Sequence, residues 1–121
     1  MNFIARASAA KGEIYLYDQI GRTWDGEGIT ATTFQKQLDD LKNVSELNIY
    51  VNSPGGNVFD GIAIYNQIKR HSAAKKIMHV DGIAASIASI ILMAGTERRI
   101  ASNGMVMIHD PSGMAGGSAL T

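Results

Sequence analysis

Strand-like and helix-like segments alternate along this chain, and this alternation restricts its fold more than any other feature. Alternating apolar residues predict four strands, at residues 13–17, 46–51, 76–80 and 105–109. Apolar residues at helical spacing predict three helices, at residues 30–43, from residue 58 onwards, and at residues 84–94. Strands that alternate with helices build βαβ units, so the sequence predicts an α/β fold with a largely parallel sheet.

The second and third predicted helices follow the most unusual loops. The second helix would begin after Asn57, a residue that can cap it, and its apolar face is predicted from Val58, Ile62, Tyr65 and Ile68. The third helix carries no charge from Ile83 to Ala94, so it is predicted to be buried and to end at Gly95. The run ERR at residues 97–99 is interpreted as a solvated loop edge.

Composition narrows the classes of function. The 121 residues fit one domain, with residues 1–11 expected to be a flexible N-terminal segment. Lys and Arg number 11, and so do Asp and Glu, which gives no reason to expect a nucleic acid or a membrane as partner. The sequence has no cysteine, which excludes disulfides and thiolate metal sites, and it shows no pattern for a metal or a cofactor. No apolar run approaches the ~20 residues that span a bilayer, so a soluble, cytoplasmic protein is predicted.

The first candidate site is the loop NSPGGN at residues 52–57. It lies where a predicted strand ends, which is where open α/β sheets collect ligands. Pro54 fixes its own φ, and the two glycines Gly55 and Gly56 allow backbone conformations that other residues resist. Such a loop can direct bare N–H groups at a ligand oxygen, although an ordinary tight turn before a helix uses the same residues.

The second candidate site is the segment DGIAAS at residues 81–86. Gly82 follows a predicted strand, and Ser86 is predicted in the first helical turn, near the positive end of the helix. The N–H of Ile87 would have no partner within the helix. A serine hydroxyl beside a free N–H is half of an acyl-transfer site. Alternatively, Ser86 and Ser89 are small residues that permit close helix packing.

One of the three histidines completes a candidate constellation. His109 ends a predicted strand, where it could reach a neighbouring loop and act as a base. His71, at a predicted helix end, is interpreted as a surface residue, and His79, within a strand, as structural.

The three motifs NSPGG, DGIAAS and MIHDP occur in this order, and together they resemble the proteolytic subunit of the Clp protease. The resemblance covers about residues 12–118 and is closest to Clp-like proteases encoded by phages and prophages. It implies the ClpP/crotonase-like fold, a spiral of ββα units, with its C-terminal part missing here. The implied function is a serine endopeptidase that cleaves unfolded or capsid-type proteins within a homo-oligomeric chamber of heptameric rings, with an AAA+ unfoldase as partner.

The resemblance also implies a role for each candidate residue. Ser86 matches the nucleophile and His109 the general base, while Gly55 and the N–H of Ile87 match the oxyanion donors. Gly56 would contact the substrate. These roles amount to acyl transfer through a covalent intermediate.

The acid of the triad is expected well beyond His109, but the sequence given ends at Thr121. Asp110 is the one carboxylate after His109, and in a strand it would project to the opposite face. The ring-joining helix is also expected beyond this sequence. Two alternatives therefore stay open: a non-catalytic or truncated ring subunit, and a crotonase-type enzyme whose NSPGG loop binds the oxyanion of an acyl-CoA ester.

Overall fold

Strands and helices alternate along the chain, as the sequence predicts. The computed structural model describes residues 11–108 and the backbone of residues 5–7. The strands are β1 (Ala5–Ala7), β2 (Lys11–Leu16), β3 (Glu46–Ser53), β4 (Lys75–Ala85), β5 (Glu97–Ile100) and β6 (Met105–Met107). The helices are α1 (Ala31–Asp39), α2 (Val58–Arg70) and α3 (Ile87–Ile91), and a 3₁₀ turn (Leu92–Ala94) follows the last of them.

The described strands form one sheet in the order β1-β2-β3-β4-β5, and β6 also pairs with β4. The pairings among β2 to β6 are parallel, and β1 pairs with β2 in the antiparallel direction. The predicted α/β class with a largely parallel sheet is therefore confirmed. Within the segment 1–11, residues 5–7 form a paired strand and Lys11 begins β2.

Strand β4 has two different partners along its length. Its first part, Ile77–Val80, pairs with β5, and its last part, Ile83–Ala85, pairs with β6. The interpretation of residues 97–99 as a loop edge was wrong, because Glu97, Arg98 and Arg99 all belong to the ladder of β5. The strand was missed because its side chains are polar, as is common in strands at the edge of a sheet.

The hydrophobic core lies between one face of the sheet and the helices. Its largest buried side chains include Ile14, Leu16, Phe34, Leu38, Leu47, Ile49, Ile64, Ile68 and Met78. Burial of each such side chain stabilises the fold by roughly 1.5–3 kcal/mol. This core fixes the two strand-to-helix junctions that follow β3 and β4.

Helix α2 begins where the sequence predicts but buries a different face. The Asn57 side chain caps it by accepting the Asp60 N–H at 2.9 Å. The buried residues are Gly61, Ile64 and Ile68, whereas Val58 and Ile62 are 52% and 46% exposed. The predicted apolar face was therefore wrong for Val58 and Ile62, whereas Ile68 is buried and Tyr65 packs, partly buried, against the core. The core-facing residue at position 61 is a glycine because the Ile87 side chain occupies the space that any larger side chain would need.

Helix α3 is shorter than predicted. Ala84 and Ala85 were predicted to be helical, but they pair with β6, and the helix begins only at Ile87. Gly95 does follow the last helical turn, with an extended φ of −81°. A side chain there would collide with Met78, since a Cβ would lie 2.4 Å from its Cγ.

Candidate active site

Ser86 occupies the turn that joins strand β4 to helix α3. Its φ of 55° and ψ of −127° make it the one non-glycine residue with positive φ in the described part of the chain. Such a conformation costs on the order of 1–3 kcal/mol and persists only where the surroundings impose it. A strained serine between a strand and a helix has the geometry of a nucleophile elbow, in which the turn exposes the hydroxyl.

The surroundings of Ser86 hold this strained backbone in place. The Ser86 N–H donates to the Met107 carbonyl of β6 at 3.0 Å. The Ser86 carbonyl accepts from both the N–H and the hydroxyl of Ser89, at 2.9 Å and 2.6 Å. Ser89 is buried, as expected of a packing residue, and its hydroxyl also fixes the carbonyl of the elbow.

Ile87 presents an N–H directly after the elbow. Among residues 11–108, none accepts a hydrogen bond from this N–H, as is usual for the first residue of a helix. The Ile87 side chain is buried against Gly61 of α2, where a Cβ would approach its Cγ1 to 2.2 Å. The position of this N–H is therefore set by the contact between α2 and α3.

The glycine turn that follows β3 lies against Ser86. Gly55 and Gly56 both have positive φ, at 99° and 148°. A Cβ on Gly55 would lie 2.7 Å from the Ala85 carbonyl oxygen and 2.8 Å from the Ser86 Cβ. The structure thus brings together the two junctions that the sequence singled out separately.

The two glycine N–H groups differ in their partners. The Gly55 N–H donates to the buried Ser53 hydroxyl at 3.1 Å. The Gly55 carbonyl accepts from the Ile20 N–H at 2.8 Å. Within the described residues, nothing accepts from the Gly56 N–H. In this conformation Gly56, rather than Gly55, has an available donor.

Asn52 joins the two junctions from the strand side. Its Oδ1 accepts the Ile83 N–H at 3.1 Å, and Gly82 packs directly against it. This contact lies where the β3–β4 register shifts, between Val51 and Ser53. Reasoning from sequence missed the roles of Asn52 and Ser53, although both belong to the NSPGG motif.

The histidines fall into two groups. His109 lies outside the described residues, and β6 ends at Met107, two positions before it in the sequence. His79 is confirmed as structural, because its Nε2 bonds the Asn48 Oδ1 at 2.8 Å and its ring stacks on Tyr50. Burial lowers the pKa of His79. His71, interpreted as a surface residue, is instead half-buried.

Both ring nitrogens of His71 are in fact used. The Nδ1 accepts from the Ala73 N–H at 3.0 Å, so the Nε2 carries the proton that it donates to the Leu41 carbonyl at 2.8 Å. His71 thus ties the end of α2 to the segment after α1. Neither described histidine is part of the Ser86 site.

In residues 11–108, no three His, Cys, Asp or Glu side chains group as metal ligands. None of the helices in that part of the chain has both the length and the apolar character needed to cross a bilayer.

Comparison with known proteins places this arrangement in a family. The sequence profile of the family described as Clp protease matches residues 4–120. The chain belongs to the Clp protease family. It is 41% identical over 95 residues to the ATP-dependent Clp protease proteolytic subunit of Bacteroides thetaiotaomicron, an alignment that covers 74% of this chain and 43% of that protein. The corresponding subunit of Ligilactobacillus salivarius is 40% identical over 84 residues, which cover 68% of this chain and 42% of that protein.

Solved structures of the Clp family share this fold. A ClpP1 mutant from Listeria monocytogenes matches with a TM-score of 0.70 and 28% identity, over 83% of this chain and 57% of that one. The ClpP protease catalytic domain from Plasmodium falciparum matches with a TM-score of 0.66 and 32% identity, over 80% of this chain and 53% of that one. The ClpP-like fold predicted from the motifs is therefore confirmed. This Clp family chain spans less than half the length of the curated relatives that it matches.

Proposed function

We propose that this chain carries the nucleophile and the oxyanion donors of a serine endopeptidase. The observation that supports this most directly is the strained conformation of Ser86, next to an N–H without a partner and against a glycine turn. A serine that served only for packing would have no reason to adopt a positive φ. Ser86 is also half-buried rather than fully enclosed, which is what a residue that must meet a polypeptide requires.

The chemistry proposed is two-step acyl transfer. The Ser86 Oγ attacks the scissile carbonyl carbon while His109 accepts the hydroxyl proton. The tetrahedral intermediate collapses, the C–N bond breaks, and the leaving amine takes the proton from His109. A water molecule, deprotonated by His109, then cleaves the ester and restores Ser86. Support for His109 as the base comes from strand β6. Its residue Met107, two positions before His109 in the sequence, accepts a hydrogen bond from the Ser86 N–H.

The oxyanion would be held by backbone N–H groups from both junctions. Ile87 supplies one donor, whose N–H follows the nucleophile directly. The sequence assigned the second donor to Gly55 and a substrate contact to Gly56. We keep Gly55 as the second donor, because it packs against Ser86 and Ile87; its N–H, bonded to Ser53 in this conformation, would turn towards the oxyanion when substrate binds. Removal of one such donor typically lowers kcat by about 10²–10³.

The substrate class, the assembly, the partner and the triad acid are proposed by analogy. The matched relatives are named ATP-dependent Clp protease proteolytic subunits, which supports a polypeptide substrate, an assembly of subunits and an ATPase partner for this protein. A ring-shaped assembly in the cytoplasm is proposed from the resemblance of the motifs alone. The triad acid would be supplied from beyond Thr121.

A serine-directed probe tests the proposal. A fluorophosphonate is expected to label the full-length protein at Ser86, with labelling lost in Ser86→Ala. Ser72→Ala is the matched control, because Ser72 is exposed and bonds only the distant Lys42 carbonyl, at 3.2 Å. Labelling that persists in Ser86→Ala would contradict the proposal. A protein that is folded and assembled but never labelled would instead be a non-catalytic ring subunit.

A further inference from the structure

Strand β4 bulges away from β3 shortly before the proposed nucleophile. The last regular pair before the bulge is Val51–Val80, and the described pairing resumes at Ser53–Ala84. Between these pairs β3 has one residue, Asn52, where β4 has three. A bulge of this kind interrupts the ladder and redirects its strand. Here it lies where β4 changes its other partner from β5 to β6, so it sets the path of β4 towards the elbow.

Asn52 supplies a hydrogen bond that the interrupted ladder lacks. Its Oδ1 accepts the Ile83 N–H at 3.1 Å, in the place of a backbone carbonyl of β3. Ile83 is also the first residue of β4 that pairs with β6. The Asn52 side chain therefore joins β3 to the residue at which the ladder between β4 and β6 begins.

Gly82 makes room for this bond. A Cβ on Gly82 would lie 2.4 Å from the Asn52 Oδ1 and 3.0 Å from its Cγ. Gly82 is not among the described glycines with positive φ, so its backbone conformation would accept a side chain. The close approach of the Asn52 amide therefore explains why a glycine stands here.

The ladder between β4 and β6 ends at the elbow. Its last pair is Ala85–Met107, and the Met107 carbonyl also accepts the Ser86 N–H at 3.0 Å. The proposed base, His109, follows two positions later in the sequence. A shift at the start of this ladder would move Ser86 relative to β6. Misplacement of a reacting group by about 1 Å can lower a rate by on the order of 10²-fold.

We propose that Asn52 is a positioning residue, whose Oδ1 holds β4 in register with β6 and thereby places Ser86 relative to the strand that leads to His109. This inference rests on the proposed endopeptidase function. Although Asn52 is exposed, its role requires no contact with the substrate, because it acts through the path of β4.

The test measures, in the full-length protein, the rate at which a fluorophosphonate acylates Ser86. Asn52→Ala removes the acceptor and is expected to lower both this rate and kcat for a peptide substrate by about 10–100-fold. KM should change less than about twofold, because binding of the ground state does not depend on the bond. Asn52→Asp keeps an oxygen acceptor on a side chain of the same shape and should retain most of the rate. A contact between Asn52 and the substrate would instead change KM and leave acylation by the small probe unaltered.

Gly82→Ala disturbs the same bond from the other side. Its methyl group would displace the Asn52 amide, so the variant should lose a similar part of the acylation rate. In the Asn52→Ala background the space is already free, and adding Gly82→Ala should cause little further loss.

A matched control separates positioning from stability. Thr96→Val also removes a side-chain bond to the backbone of β4, since the Thr96 Oγ1 accepts the Lys76 N–H at 2.9 Å at the other end of the strand. It should lower the melting temperature without changing kcat. If Asn52→Ala fails to fold, slow acylation of Gly82→Ala beside fast acylation of Asn52→Asp remains the expected result, and equal rates for these two variants would contradict it.

Two further outcomes would overturn the inference while leaving the proposed function intact. One is an unchanged rate of Ser86 acylation in folded Asn52→Ala. The other is a pair of losses that add in full when Asn52→Ala and Gly82→Ala are combined, which would show that the two residues act independently. Absence of labelling in the wild-type protein would count against the endopeptidase itself.

Discussion

The two strand-to-helix junctions both turn the backbone through positive φ, but with different residues. After β3, the backbone enters positive φ at Gly55 and Gly56, where the missing side chain makes this conformation inexpensive. After β4, it does so at Ser86, where a side chain makes it costly. The first junction is thus explained by its backbone path alone, whereas the second keeps a hydroxyl at a position that glycine would fill with less strain. That difference distinguishes the scaffold of the site from its reactive group.

The largest effect is expected where the two junctions touch. Gly55→Ala places a Cβ 2.7 Å from the Ala85 carbonyl oxygen at a φ of 99°. Left-handed strain and overpacking each cost about 1–3 kcal/mol, so the free energy of unfolding should fall by roughly 2–6 kcal/mol. Labelling of Ser86 should be lost as well. Chemical denaturation measures the loss of stability, and probe labelling measures the loss of reactivity. If Gly55→Ala kept both its stability and its labelling, the close contact between the two junctions would not be needed.

A smaller effect is expected behind the second junction. Gly61→Ala would push a methyl group towards the Ile87 Cγ1, to 2.2 Å before relaxation. We expect a loss of about 1–3 kcal/mol from overpacking, only partly offset by the higher helix propensity of alanine. The same contact should displace the Ile87 N–H from the oxyanion, so kcat should also fall.

Asn66→Ala is the matched control for Gly61→Ala. It lies on the exposed side of the same helix and should leave kcat unchanged. If Gly61→Ala proved more stable and equally active, the contact between α2 and Ile87 would not position the donor.

Replacing the serine by glycine removes the contrast between the junctions. Ser86→Gly relieves strain of about 1–3 kcal/mol and adds about 0.5–1 kcal/mol of backbone entropy cost, so the variant should be more stable by about 1 kcal/mol. It should be inactive. Thermal unfolding of Ser86→Gly beside Ser86→Ala isolates the backbone contribution, because both lack the hydroxyl and only alanine retains the Cβ. Equal stability of the two variants would argue that the elbow is unstrained.

The smallest effect concerns pH. The pKa of His79 is lowered in the folded protein, chiefly by burial, so the unfolded chain binds the proton more tightly. Stability from this histidine is present above its unfolded pKa of about 6.5 and is lost as the pH falls below that value. The free energy of unfolding, measured between pH 7 and pH 5, should fall less in His79→Gln than in the wild type. A steeper fall in the variant would contradict this assignment.

The sequence was informative where residue type determines conformation, and less so where packing does. Strands β2, β3, β4 and β6, the capping role of Asn57 and the two junctions follow from alternation, side-chain chemistry and glycine, whereas the polar strand β5 does not. The start of α3 was misplaced because Ala84 and Ala85 suit a helix by propensity, and their pairing with β6 is a tertiary contact. The buried face of α2 was predicted wrongly because it includes Gly61, which faces the core only because it has no side chain. A search for apolar side chains at helical spacing does not detect such a residue. The bond from Ser53 to Gly55 depends on a turn geometry that the motif alone does not specify.

The register shift between β3 and β4 has a consequence for how the end of the sheet that carries Ser86 is held. From Glu46 to Val51 the two strands pair without interruption, and beyond the shift the described pairing continues only at Ser53 and Ala84. The end of the sheet that carries Ser86 is therefore joined to the long ladder by few backbone bonds. What holds it instead is the pairing of Ile83–Ala85 with β6 and the bond from Ile83 to the Asn52 side chain. The reactive end can therefore differ in geometry between related proteins through these contacts while the ladder beneath it stays the same.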